Sequence, residues 1–247
     1  MMVLFALLGL LVGALTNLLA TSLVHRGRPT LPTCTSCARV RPWSQWISLP
    51  SALLRRARCP HCDARIGIRH PLVELGLAAA YAYLWWLLAP SPTLIPALYY
   101  TAVLAIVLVT DLEHRIIPNT IVFPAIAFAA AVSLYHAEWW SGLLGGAVLL
   151  IPFVIAKVVG SLLFGPSSLG GGDLKLALFV GLMTGFPLAL LALVLATGLG
   201  ALVALALLIT GRKGLLDAVP YGPFLVVGGW VAMVWGEQIL SILIRVN

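Results

Sequence analysis

Long apolar runs separated by short polar joints dominate the chain. They cover about residues 2 to 24, 71 to 89, 94 to 110, 119 to 135, 142 to 164, 174 to 186, 188 to 210 and 221 to 244. Most are long enough, or nearly so, to cross a hydrocarbon core of roughly 30 Å, and in lipid a helix meets the needs of its own backbone. The pattern predicts an all-α polytopic membrane protein with about eight transmembrane helices. The sixth run is short, and Gly185-Phe186-Pro187 interrupts its passage into the seventh, so seven helices is the alternative. One polar insert of about 46 residues breaks the rhythm between the first two runs. The expected organisation is a first helix over 1–24, a loop domain over 25–70 and a membrane domain over 71–247.

Composition supports the membrane reading and excludes an ordinary soluble domain: 61% of the 247 residues are hydrophobic, 9% are charged and the mean hydropathy is +1.05. Charge adds an orientation. If eight spans alternate, loops 25–70, 111–118, 165–173 and 211–220 share one side, and nine of the fifteen Lys and Arg fall in the first of them. Arg115, Lys175, Arg212 and Lys213 lie in or beside the others, and Lys157 can snorkel to that side from within the fifth run. An excess of basic residues marks cytoplasmic loops, which places the insert in the cytoplasm and both termini outside. Trp139 and Trp140 read as interfacial anchors on the far side. The net charge of +7 is thereby explained by topology and membrane lipid, with no nucleic acid partner. Residues 1–24 carry their positive charge after the apolar stretch, unlike a secretion signal, and read as a retained helix.

The insert holds all four cysteines, as "CTSC" (Cys34, Cys37) and "CPHC" (Cys59, Cys62), with 21 residues between the pairs. Two such knuckles suit tetrahedral thiolate ligation of a structural Zn2+, and they leave no open position for chemistry. The alternative is two disulfides, which a reducing cytoplasm disfavours. A loop of this size has little core of its own, so the metal supplies folding energy.

Two acids stand out where apolar runs meet that same side. Asp111 ends the third run in "TDLEHRIIPN", and Asp173 opens the sixth in "GGGDLK". Ionisable groups at such depths are costly. The three glycines before Asp173 permit close backbone approach and positive φ. Brought within a few ångströms, two carboxylates share a proton, and one can then activate water while the other polarises a peptide carbonyl. Helix caps or solvated helix ends are the plain alternatives. Glu113, His114 and Arg115 read as interfacial residues, and Asp217 as a loop charge.

These features together resemble the type IV prepilin peptidases, the leader peptidases of bacterial inner membranes, and the likeness runs almost end to end. "GALTNLL" (Gly13, Asn17), the paired cysteine loop, "RHPLVE" (Arg69 to Glu74), "DLEHRIIPN", "GGGDLK" and "PYGPFLVVGG" follow the family order. The resemblance implies a multi-pass inner-membrane aspartic endopeptidase with Asp111 and Asp173 catalytic and Cys34, Cys37, Cys59 and Cys62 as metal ligands. Its substrate would be a prepilin or pseudopilin, cut at the cytoplasmic face. Retention of the cysteine loop implies N-methylation of the new terminus with S-adenosylmethionine as well. Glu74 is a further candidate for methyl transfer or substrate contact, or else an ordinary helix N-terminal acid. Asn17 either serves the family element or hydrogen-bonds a neighbouring helix, and Arg26 stands later than the family's usual arginine. Two other classes compete: a proton-coupled secondary transporter using Asp111 and Asp173, and a scaffold whose zinc loop binds a partner. No internal repeat or pair of interrupted mid-membrane helices supports the transporter.

Overall fold

The computed structural model describes residues 1–26, 31, 33–34, 36–37, 39–42, 45–49, 58–64, 67–135, 138–164, 170–210 and 220–245. Arg28, Arg55, Arg56, Arg65, Arg212, Lys213 and Asp217 lie outside these residues, as does the side chain of Arg26. Among the described residues the elements named are eight helices: α1 (Met2–Arg26), α2 (Arg69–Leu88), α3 (Leu94–His114), α4 (Asn119–Tyr135), α5 (Trp139–Phe164), α6 (Gly171–Thr184), α7 (Leu188–Ile209) and α8 (Gly222–Arg245). Six are long and apolar enough to cross a membrane. Helix α4, with 17 residues, and α6, with 14, are not. At 1.5 Å per residue, α6 reaches only about 21 Å.

The chain forms two compact units, Met1–Thr110 and Asp111–Asn247. In the first, α1 and α2 run antiparallel at glycine distance. A Cβ on Gly9 would lie 2.8 Å from Ala78 Cα, and one on Gly13 would lie 2.6 Å from Glu74 Cα. One turn further, Asn17 Nδ2 donates to the His70 carbonyl at 3.0 Å. Small residues at four-residue spacing let helix backbones approach, and dispersion and hydrogen bonds then hold them where lipid offers no hydrophobic drive. Tyr81 Oη donates to the Leu98 carbonyl at 2.9 Å, tying α2 to the start of α3.

In the second unit the short α6 is the central element. Leu176, Ala177, Phe179, Val180, Gly181 and Leu182 are buried on it, and it packs against α4, α5, α7 and α8. A Cβ on Gly181 would lie 2.7 Å from the Gly145 carbonyl carbon of α5, and one on Gly229 of α8 would lie 2.6 Å from Val180 Cγ1. Gly185 ends α6 with φ +68, a conformation that side chains with a Cβ resist. Phe186 is then fixed in both directions: its N–H donates to the Ser141 carbonyl at 2.9 Å, and Ser141 Oγ donates to its carbonyl at 2.8 Å. The interruption at Gly185-Phe186-Pro187 therefore separates two helices, the first of them shorter than the six that are long and apolar enough to cross a membrane. Leu190, Val194 and Leu202 of α7 are exposed, as helices bathed in lipid require.

Candidate active site and metal centre

Asp111 is the first residue of the second unit and lies in the last turn of α3. It is 5% exposed, and its Oδ2 is buried without a hydrogen-bond partner. A buried acceptor left open costs free energy that a plain helix cap does not incur. Gly222, the first residue of α8, packs directly on this carboxylate: a Cβ there would overlap Oδ2 and stand 2.9 Å from Cγ. The preceding Tyr221 has its Oη buried and likewise unpartnered. Its ring meets Phe153 and Phe224 edge-on, with centroids 5.2 and 6.2 Å away.

Asp173 stands in the first turn of α6, whose N-cap is Gly170. Its carboxylate lies against Gly170 and within electrostatic reach of Asp111, Lys157 and Tyr221. The acid stands in the first turn of its helix, where the cap alternative would put it, and it also feels the charge of the other acid. The glycines work by close approach alone. A Cβ on Gly170 would sit 3.0 Å from Asp173 Oδ2, one on Gly171 3.7 Å from Lys157 Nζ, and one on Gly172 3.0 Å from Ile117 Cβ. Among the described glycines only Gly185 has positive φ, and Gly170 has φ −64, so of the two freedoms that "GGGD" permits only close approach is used. Packing of Ile117 on Gly172 holds the segment after Asp111 against the start of α6.

Two positioning contacts went unread in the sequence. Lys175 Nζ donates to Asn119 Oδ1 at 2.7 Å and lies 4.9 Å from the Phe123 ring centroid, fastening α6 to α4. Lys157 turns towards Gly171 and Asp173, so its charge has a use beyond snorkelling. The signal available for Lys175 was its place two residues after Asp173. Glu113 and His114 pair at 3.7 Å at the end of α3, consistent with interfacial residues.

The four cysteines meet in the first unit. All four Sγ atoms lie within 4.8 Å of one another, with Cys34–Cys62 at 3.6 Å and Cys37–Cys59 at 3.8 Å. Zn–S bonds of about 2.3 Å in a tetrahedron place sulfurs about 3.8 Å apart, so the donor set fits that ion. Each knuckle is closed by a backbone bond, from Cys34 N–H to the Arg39 carbonyl and from Cys59 N–H to the Ala64 carbonyl, both 2.8 Å. The Cys37 backbone pulls the Cys34 thiol down to about 6, and the His61 backbone lowers that of Cys59, while at Cys62 the pull of the Ala64 backbone is outweighed by desolvation and the neighbouring cysteines, which push it up to about 12; a bound cation is what would favour the thiolate at all four. His61 is turned to Arg39, with Nδ1 3.2 Å from the guanidinium, and is outside the cluster. Arg58 and Asp63 form an ion pair beside it. Cys34→Ser is expected to lower bound zinc from about one ion per chain towards none, because three thiolates seldom make a closed structural site. Elemental analysis of purified protein would read this, and full metal content in the variant would remove Cys34 from the ligand set.

Comparison with known proteins accounts for both units. The sequence model of the Type IV leader peptidase family matches residues 98–205, and that of the Bacterial Peptidase A24 N-terminal domain matches residues 7–88. The chain is 31% identical over 215 residues to the "Prepilin leader peptidase/N-methyltransferase" of Bacillus subtilis (strain 168), covering 86% of this chain and 85% of that protein. It is also 31% identical over 212 residues to the protein of the same name from Pseudomonas putida, covering 84% and 73%. No solved structure matches. Identity of this extent, spanning both the cysteine loop and the two acids, shows that the chain belongs to the type IV leader peptidase family, a family of aspartic peptidases, and is a multi-pass inner-membrane enzyme.

Proposed function

We propose that this protein cleaves the leader of a prepilin or pseudopilin at the cytoplasmic face by an aspartic mechanism, with Asp111 and Asp173 as the catalytic pair. It then N-methylates the new terminus. The observation that carries the reading is two acids on different helices within electrostatic reach of each other, one with a buried, unpartnered oxygen. One carboxylate takes a proton from water as the water adds to the scissile carbonyl; the protonated partner donates to the carbonyl oxygen. Collapse of the tetrahedral intermediate releases the new amine, which takes up a proton. The pair holds a single proton between its members throughout. Lys157 and Tyr221 border this exchange and tune the local field.

The cysteine cluster holds a structural Zn2+, and the basic insert faces the cytoplasm. S-adenosylmethionine supplies the methyl group for the second reaction. In the first unit, buried Thr16 Oγ1 and Asn17 Oδ1 lack partners, and Arg69 donates at 3.1 Å to Thr21 Oγ1, which in turn donates to the Asn17 carbonyl. Acceptors and a guanidinium of this kind suit the ammonium and carboxylate of that donor's amino-acid end. The transporter reading draws no support from the relatives.

The test is to incubate purified protein with a prepilin, with and without S-adenosylmethionine, and weigh the products. Leader release with a one-methylene mass gain only when the donor is present is the expected result; an uncut prepilin overturns the proposal. In the same assay, Lys175→Met is expected to lower kcat about 3- to 10-fold with KM little changed, because the lost tie loosens the alignment of the acids without touching substrate. Asn119→Asp keeps an acceptor for Lys175 and should stay near the wild-type rate. Equal rates for all three proteins would assign the Lys175 contact to stability alone.

A further inference from the structure

Glu74 is 1% exposed on α2, a placement that carboxylates seldom take without compensation. Its compensation is specific. Oε1 accepts the Ser48 N–H at 2.8 Å and Ser48 Oγ–H at 2.6 Å, and Oε2 accepts the Leu49 N–H at 2.7 Å. Ser48 and Leu49 lie between the two cysteine knuckles, so the carboxylate satisfies two backbone N–H groups and a hydroxyl of the insert. On the other side, Glu74 Cα fills the space left by the missing Cβ of Gly13. One side chain thus joins α1, α2 and the segment between the two cysteine knuckles. Three of the roughly four acceptor positions of this carboxylate are taken up within the fold, so its contacts seen here are those of a structural tie.

We propose that Glu74 is a positioning residue, a buried latch that seats the cysteine loop on the α1–α2 pair, and that N-methylation depends on this seating while leader cleavage does not. The proposal rests on the reading that this chain carries out both reactions. The division follows from two partitions of the chain and from where the acids and the cysteines fall in them. The two family matches fall at 7–88 and 98–205; the compact units part at 110 and 111; both acids lie in the second unit, and the cysteine loop with its latch lies in the first. A unit without either acid is where a second, non-peptidase reaction is housed.

Glu74→Gln keeps size and shape but turns an amide donor towards a backbone N–H, so at least one of the three bonds must fail. The assay uses the full chain with a prepilin and S-adenosylmethionine, counting cleaved and methylated product, alongside zinc content and amide exchange. Expected are a methylation rate down about 100-fold, as for a misplacement of order 1 Å, and cleavage within about 3-fold of wild type. Zinc should be retained, and the Ser48 and Leu49 amides should exchange at least about 100-fold faster. Ser48→Ala removes only the hydroxyl donor and should give a smaller fall in methylation; Glu74→Asp, with its carboxylate drawn back by one methylene, should fall between the two. Unchanged exchange at 48 and 49, unchanged methylation, or parallel loss of both reactions would each overturn the proposal. A wild-type enzyme that cleaves without methylating would overturn the link to methylation and the reading beneath it, while the exchange arm still decides whether the latch exists.

Discussion

Asparagine at either 111 or 173 should abolish leader cleavage while leaving the protein folded. The amide matches the carboxylate in shape but neither takes a proton from water nor delivers one to a carbonyl, so both halves of the proton exchange fail together. Residues that act as a unit lose about as much singly as jointly, and a loss on the order of 10⁴-fold in kcat is the scale for such units. The double variant should therefore be no worse than either single one. Stability should move the other way at Asp111. Its Oδ2 is buried without a partner, and a neutral amide is cheaper to bury than a carboxylate, so thermal unfolding should occur at the same temperature or higher, the usual trade at sites built for chemistry. Rates on a purified prepilin, with melting curves for each variant, decide it. Were Asp173 only a cap for α6, Asp173→Asn would cost about 1 kcal/mol of stability and leave cleavage intact.

The elements of the fold were legible because lipid leaves little choice: an apolar run long enough to cross must be a helix, and the polar insert could belong only outside. Helix α6 was the hard case. Its 14 residues are buried by four neighbours, so its hydrophobicity reports packing among helices as much as exposure to lipid. The cysteine cluster was legible from spacing alone, since two tight knuckles each present a pair of sulfurs, and the sulfur spacing suits one ion. The acids were legible from their scarcity at the ends of apolar runs. What surrounds them was not. That Gly222 rests on Asp111, that Lys175 reaches Asn119 and that Glu74 holds Ser48 are consequences of how helices distant in sequence pack, and no local pattern encodes such contacts. The glycines before Asp173 show the same limit. Glycine in a sequence signals either unusual backbone angles or a need for space, and here only the need for space is realised.

Gly222→Ala should bring the second-largest loss, and it isolates packing from chemistry. Alanine suits a helix better than glycine does, and Gly222 does not have positive φ, so the backbone has no objection to a side chain. The objection is Asp111: the new methyl group would overlap its Oδ2. Either the carboxylate rotates off its position or the start of α8 moves away with Tyr221. A displacement of order 1 Å at the reacting groups costs about 100-fold in rate. The loss should appear in kcat with KM nearly unchanged, because the substrate's apolar helix and leader still find their contacts. Gly198→Ala on α7, where a Cβ would meet nothing within 4 Å, is the control and should cleave at the wild-type rate. Wild-type kcat in Gly222→Ala would mean that the Asp111 carboxylate does not need the position seen here, and the pairing with Asp173 would lose its geometric basis.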